Sequence, residues 1–273
     1  MMFLTQLKLD IKRRDTRRYL GSPQVMHAVV AAACSGRDAN AEADSRESLE
    51  AIPTYSDPND SLGPGRVLWR VDEGAFTTKL YIVSPTTPDM EKLENTAGAG
   101  EARTVDYAPF LRKLSEGQLW AFRLAANPMY AKSQDSGNRG KRYGHVSIMH
   151  QAKWLLERCE KHGFNIASSD GHGDTPRISA PGENVALDGS ASTEQGDDDP
   201  AASVNALVVR RERPSFRRRR KDGSGNDRVT INRTVYEGIL RVTDAERLRH
   251  MLVSGLGASK AYGCGLMTLA YPH

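Results

Sequence analysis

Three groups of residues have the types and spacing to do chemistry. His27 lies in a stretch where Met26, Val29, Val30 and Ala33 recur at helical spacing, about 100° round the axis from Met26. An imidazole titrating near neutrality can take up or release a proton. On pattern alone, a histidine at the edge of an apolar stripe is more often a packing or surface residue. The second group is Arg210, Arg211, Arg213, Arg217, Arg218, Arg219, Arg220 and Lys221, eight bases against Glu212 alone. That density reads as a hairpin gripping RNA or DNA through its phosphates better than as a solvated face. A smaller basic stretch, Lys132, Arg139, Lys141 and Arg142, lies in a polar, glycine-containing join in mid-chain. The third group is the run from Gly255 to Gly265, which includes Gly257, Lys260 and Gly263. A dinucleotide or Walker loop lies between a strand and the helix it opens, whereas this run follows a helix and leads into a strand, so neither fingerprint fits. Its glycines would let backbone N–H groups approach a phosphate chain, with Lys260 supplying charge. A tight helix-to-strand turn explains the same spacing equally well.

The elements that must position these groups follow an order that occurs twice. Phe3 to Leu9 alternates as a half-buried strand and is followed by a basic connector with Lys12, Arg13, Arg14, Arg17 and Arg18. Ser22 and Pro23 then make the N-cap and first-turn pair of the helix carrying His27. Strand patterns at Arg66 to Asp72 and Lys79 to Ser84 are joined by Glu73, Gly74 and Ala75, a hairpin loop. A weak helical stretch from Pro88 to Leu93 and a strand from Gln118 to Ala126 complete strand, helix, strand, strand, helix, strand, the ferredoxin-like order. In the second half the expected elements are a strand over Tyr143 to Met149, a helix over His150 to His162 stopped by Gly163, and strands over Val204 to Arg211 and Val229 to Val242. The last of these is expected to bulge or bend at Gly238. Thr243 and Glu246 form a capping box before Leu248, Met251 and Leu252, and Leu266 to Ala270 closes as a strand. The expectation is an α+β chain of two tandem ferredoxin-like domains, residues 1–128 and 129–273, alike in element order only.

Charge and composition narrow the function class. Residues 38–60 hold seven acids and one base, and 170–200 hold eight acids and one base; both lack periodicity and read as solvated insertions, the flexible segments expected at about 38–61 and 169–203. Together they take 15 of the 34 acids and two of the 38 bases, which leaves 36 bases against 19 acids in the rest. The folded part is therefore strongly basic, as expected of something that holds a polyanion. At 38% hydrophobic residues and with no run of about 18 apolar residues, the chain carries no membrane-span pattern, and its first residues leave no room for a signal peptide, so the reading is soluble and cytoplasmic. Cys34, Cys159 and Cys264 lie more than a hundred residues apart, which fits neither a zinc ligand set nor a disulfide framework; they read as small buried side chains.

Several segments resemble one family. Phe3-Leu4-Thr5, Ser22-Pro23 with His27, Arg66-Val67-Leu68-Trp69-Arg70, Phe122-Arg123-Leu124-Ala125-Ala126-Asn127-Pro128, Gly140-Lys141-Arg142, Trp154-Leu155 and the closing glycine loop with Gly263-Cys264-Gly265-Leu266 are similar, in order, to the CasE family. These are the CRISPR RNA-processing endoribonucleases of type I-E systems. The resemblance spans essentially the whole chain outside the two acidic insertions. It implies tandem ferredoxin-like domains, binding of the repeat stem-loop of precursor CRISPR RNA, and a cut at the 3′ base of its stem without metal or cofactor. It also implies retention of the product as a subunit of the Cascade complex. By the same resemblance His27 falls on the family's active-site histidine, and Val209-Arg210-Arg211 falls where the family presents basic residues to the RNA stem. Members commonly carry a tyrosine three residues before the histidine; here that position is Gln24, which cannot exchange a proton at neutral pH. The second catalytic group is thus left open, with Tyr19, Gln24 and Lys260 as auxiliary candidates.

Overall fold

The computed structural model describes residues 1–35, 66–132, 141–167, 206–219 and 225–272. The two acidic insertions lie outside these residues. The first half contributes β1 (Phe3–Leu9), α1 (Arg14–Leu20), α2 (Pro23–Cys34), β2 (Leu68–Glu73), β3 (Thr78–Ser84), α3 (Met90–Ala97), β4 (Gly98–Asp106) and α4 (Ala108–Lys113). Its sheet runs β2-β3-β1-β4, all antiparallel, with both inner strands fixed by the apolar alternation of β1. Leu7, Leu9, Leu80, Ile82 and Trp69 bury against Met26, Val30 and Ala33 of α2 and Leu93 of α3. The stripe that the sequence shows on α2 is therefore the stripe that packs.

The second half contributes β5 (Leu119–Ala126), β6 (Met129–Lys132), β7 (Lys141–Gly144), α5 (Ile148–Cys159), β8 (Phe164–Ile166), β9 (Ala206–Glu212), β10 (Ser215–Arg219), β11 (Asn226–Thr230), β12 (Arg233–Val242), α6 (Ala245–Ser254) and β13 (Met267–Ala270). Its main sheet runs β13-β5-β12-β8, and β9 pairs with the other end of the β12 edge that β8 occupies. β8 and β9 thus share the place of the second strand in a ferredoxin-like unit, on either side of the second acidic insertion. Both halves have the expected ferredoxin-like topology.

The elements differ from expectation at several points. The strand expected to close the first unit, Gln118 to Ala126, is β5, the first strand of the second sheet, where it pairs with β12 and β13. On sheet membership the division expected at residue 128 therefore falls ahead of β5. The first sheet is closed instead by β4, whose glycines and charges hide a strand pattern; its register on β1 makes it one. The basic connector contains helix α1, where the Arg13 guanidinium donates to the carbonyls of Glu94, Asn95 and Gly98 and satisfies the open end of α3. Tyr143 to Met149 is not a strand: β7 ends at Gly144, and the Ser147 side chain caps α5. The expected strand Val229 to Val242 is broken at Ile231–Asn232 into β11 and β12, and Gly238 stays in regular register between Phe122 and Ala206. The bulge lies opposite, on β9 at Val209, where Arg210 and Val208 face consecutive residues of β12. Asp244 rather than Thr243 caps α6, its carboxylate accepting from the Arg247 N–H.

The two units share one core. Leu68 and Val83 of the first sheet pack with Phe122, Leu124 and Tyr236 of the second and with Trp154 of α5 and Met251 of α6. Arg70 fastens them: it is 1% exposed, pairs through two nitrogens with Asp72, and donates to the carbonyls of Arg123 and Leu266 and the hydroxyl of Thr268. Asp72 also faces Arg123 at 3.2 Å, and Arg123 pairs in turn with Glu237.

Candidate RNA-cleavage site and basic surface

The helix α2 packs against the 3-10 turn Lys260–Tyr262 inside the glycine loop, and it also touches β10. This juxtaposition builds the site, because it brings residues from both ferredoxin-like units to one seam. His27 lies on α2 and is 5% exposed, with no hydrogen-bond partner on Nδ1 among the described residues. Burial, then the nearby positive charge of Arg66, pushes its pKa below the usual histidine value, so the ring is neutral at neutral pH. Lys260 is half-buried, donates from Nζ to the Ser254 carbonyl at 2.6 Å, and is lowered by the same two causes in the same order. A neutral imidazole near a guanidinium can accept a proton while the cation holds an anion.

Arg66 is the residue that sequence reasoning missed as part of this cluster. Its Nε is buried without a partner, and its charge acts on both His27 and Lys260. It precedes β2, with the first acidic insertion between it and His27, so no spacing rule could join them. Among the auxiliary candidates only Lys260 is brought to the seam through the turn that packs on α2. The Tyr19 side chain packs against the core of the first sheet, and Gln24 sits half-buried in the first turn of α2.

The glycine loop is held from several sides. Asn127, buried at the end of β5, donates to the Ser259 hydroxyl at 2.8 Å, and Ser259 is the one non-glycine described residue with positive φ, at 62°. Arg233 donates to the Tyr262 carbonyl at 2.8 Å, and Phe216 of β10 lies 4.8 Å from Tyr262, ring centre to ring centre. Gly257 and Gly263 have φ values of +82° and +76°. A Cβ on Gly257 would stand 3.0 Å from Trp154, and one on Gly263 would stand 2.6 Å from Trp69. Backbone conformation and close packing therefore require glycine at both positions whether or not a phosphate approaches.

The arginine segment is divided between two sheets. Arg210 and Arg211 belong to β9 and Arg213 follows it; Arg217, Arg218 and Arg219 belong to β10, and Arg220 lies outside the described residues. Arg211, Arg213, Arg217 and Arg218 are exposed, whereas Arg210 is held by Glu73 at 2.6 Å and by Glu212. In the second basic stretch Lys141 and Arg142 lie on β7 with Arg142 exposed, and Arg139 lies outside the described residues. All three cysteines are buried, and burial pushes the Cys34 and Cys159 thiols up to about 12 and Cys264 up to about 11.

A tandem ferredoxin-like chain with a histidine in its seam and exposed arginines beside it defines a class. Residues 2–271 match the CRISPR associated protein family, and the chain belongs to it. The chain is 27% identical over 272 residues to the CRISPR-associated endoribonuclease Cse3 of Thermus thermophilus, covering 98% of this chain and all of that one. In three dimensions it resembles the CRISPR endoribonuclease Cse3 solved with a 19-nucleotide RNA (TM-score 0.65, 24% identity, 98% and 99% coverage). It also resembles a chain of a CRISPR RNA-guided surveillance complex in a pre-nicking state (TM-score 0.51, 18% identity, 98% and 99% coverage). Among the described residues no helix is long and apolar enough to cross a membrane.

Proposed function

We propose that this chain is a cytoplasmic, metal-independent endoribonuclease that binds the repeat stem-loop of precursor CRISPR RNA, cuts at the 3′ base of the stem and keeps the product as a subunit of a Cascade complex. The observation that carries the reading is the buried, neutral imidazole of His27, whose Nδ1 has no hydrogen-bond partner among the described residues, on the helix that packs against the glycine-loop turn and within reach of the Arg66 charge. The full-length likeness to a named endoribonuclease supports it.

The chemistry follows from those groups. His27 takes the proton of the 2′-OH upstream of the scissile phosphate; the 2′-oxygen attacks phosphorus, the bond to the 5′-oxygen breaks, and a proton is returned to that oxygen. The products are a 2′,3′-cyclic phosphate and a 5′-OH. Charge builds on the non-bridging oxygens as phosphorus becomes five-coordinate, and Arg66, whose charge acts on His27, offsets it together with Lys260 of the glycine loop. Arg211, Arg213, Arg217 and Arg218, with Arg142 on the other hairpin, supply phosphate contacts that read the shape of an A-form stem more than its sequence.

The test is incubation of the repeat RNA with wild type and His27→Ala in EDTA, alongside hairpin affinity and melting temperature for both. Wild type should cut in EDTA, whereas His27→Ala should not cut yet bind within about threefold of wild type, because one neutral side chain adds little to a multi-phosphate interface. Cutting by His27→Ala at the normal rate would overturn the assignment of His27. Loss of wild-type cutting in EDTA would overturn metal independence.

A further inference from the structure

On the other flank of the glycine loop is a groove of about 450 Å³, within the size range of small-ligand sites. Tyr130 and His145 line it, their ring centres 4.8 Å apart, and the row continues outside the lining to Tyr143, 5.9 Å from Tyr130, and to His150, 5.7 Å from His145. The lining also includes Trp154 and Arg158, whose guanidinium lies 4.4 Å over the Trp154 ring and donates to the Trp154 carbonyl at 2.8 Å. Backbone at Gly257 and Ala258 contributes to the lining, and Asn127 and Glu157 add polar edges.

Tyr130 and Tyr143 remain 45% and 40% exposed on this surface. Exposed rings on a hairpin add little to a core, and the groove that Tyr130 and His145 line also takes in Arg142 and Arg158. Exposed aromatic surface beside cations matches one unpaired nucleotide, its base on the rings and its phosphate on the guanidinium groups. A paired base does not fit this description, because both of its faces are already covered within the helix. Ala258 lines the groove, and Lys260, two residues on and so at most about 7.6 Å away Cα to Cα, opens the turn that packs on α2, the helix of His27.

We propose that this groove holds a base-unpaired nucleotide flanking the RNA stem, its base against Tyr130 and His145 and its phosphate on Arg142 and Arg158. This rests on the reading of the chain as a stem-loop RNA nuclease, and it adds a binding site for RNA outside the stem. Burial and the neighbouring His150 lower the pKa of His145, which keeps that ring neutral and suited to stacking.

The test uses three RNAs whose scissile 2′-OH is replaced by hydrogen: the stem-loop alone, the stem-loop with unpaired flanks on both sides, and the same flanked RNA made abasic in its flanks. Affinities are measured for wild type, Tyr130→Ala and Tyr130→Phe. Wild type should bind the flanked RNA about tenfold tighter than its abasic counterpart, Tyr130→Phe should keep that gain, and Tyr130→Ala should lose most of it. Affinity for the stem-loop alone should be the same in all three proteins. A wild type that does not distinguish base from abasic flanks, or a Tyr130→Ala that weakens all RNAs alike, overturns the proposal; the first result would assign the aromatic row to a protein neighbour. If the stem-loop alone is not bound, the failure belongs to the nuclease reading.

Discussion

Replacing Gly263 with alanine separates two explanations of the glycine loop. The residue has φ +76°, and its new Cβ would lie 2.6 Å from Cζ3 and 2.9 Å from Cη2 of Trp69. Carbon atoms in contact settle at about 3.5–4.0 Å, so ring or loop must move by close to an ångström. Trp69 is among the largest fully buried side chains and cannot swing into solvent. A left-handed conformation costs an L-residue about 1–2 kcal/mol, and forcing extra volume into a packed core costs about 1–3 kcal/mol more. The expected loss is thus about 2–5 kcal/mol. Gly117 is the internal reference: φ is +82° and nothing lies within 4 Å of the added carbon. Gly117→Ala should therefore lose only the about 1–2 kcal/mol backbone part, and the small gain from a stiffer unfolded chain is common to both variants. At about 2–4 °C per kcal/mol for a chain slightly shorter than this one, Gly263→Ala should melt lower by about 4–20 °C and Gly117→Ala by about 2–8 °C. Thermal denaturation of the three proteins in parallel reads the difference. Equal losses would refute the packing argument. A Gly263→Ala protein that melts like wild type but binds the hairpin poorly would show that the glycine serves phosphate approach instead.

Three further outcomes are expected. Because His27 is held below its ordinary pKa and acts unprotonated, kcat/KM should rise with pH along an acid limb whose midpoint lies below about 6.5 and then level off; a midpoint above that value contradicts the base role. Arg70→Met should cost about 3–5 kcal/mol in denaturant unfolding, since it strands three acceptors and half-frees Asp72; Asp72→Leu added to it should recover part of the loss, and a harmless Arg70→Met would refute its fastening role. Replacing Arg210, Arg211 and Arg213 together with alanine should weaken hairpin binding about tenfold or more and flatten the dependence of log K on log salt by roughly two units, at about 0.7–0.9 per contact. Arg210→Ala alone should leave the slope nearly unchanged, because Glu73 and Glu212 already occupy that guanidinium.

Local pattern was enough to place β1, α2, the β2–β3 hairpin, α5, α6 and β13. In each, a face buried against one neighbour leaves a period in the residues, two for a strand and 3.6 for a helix. The excess of bases outside the acidic stretches was likewise legible, since charge needs no fold to be counted. Tertiary structure decided the rest. β4 is a strand because β1 offers it an edge, not because of its own glycine- and charge-rich sequence. β5 alternates as any half-buried strand does, and only its pairing with β12 and β13 shows which sheet it serves. The Arg66 charge reaches Lys260 and His27, and Gly263 packs against Trp69, between segments far apart in the chain. Periodicity reports what a segment buries and is silent on which distant segment buries it, so the elements could be read in one dimension while the site, assembled where two units meet, required three.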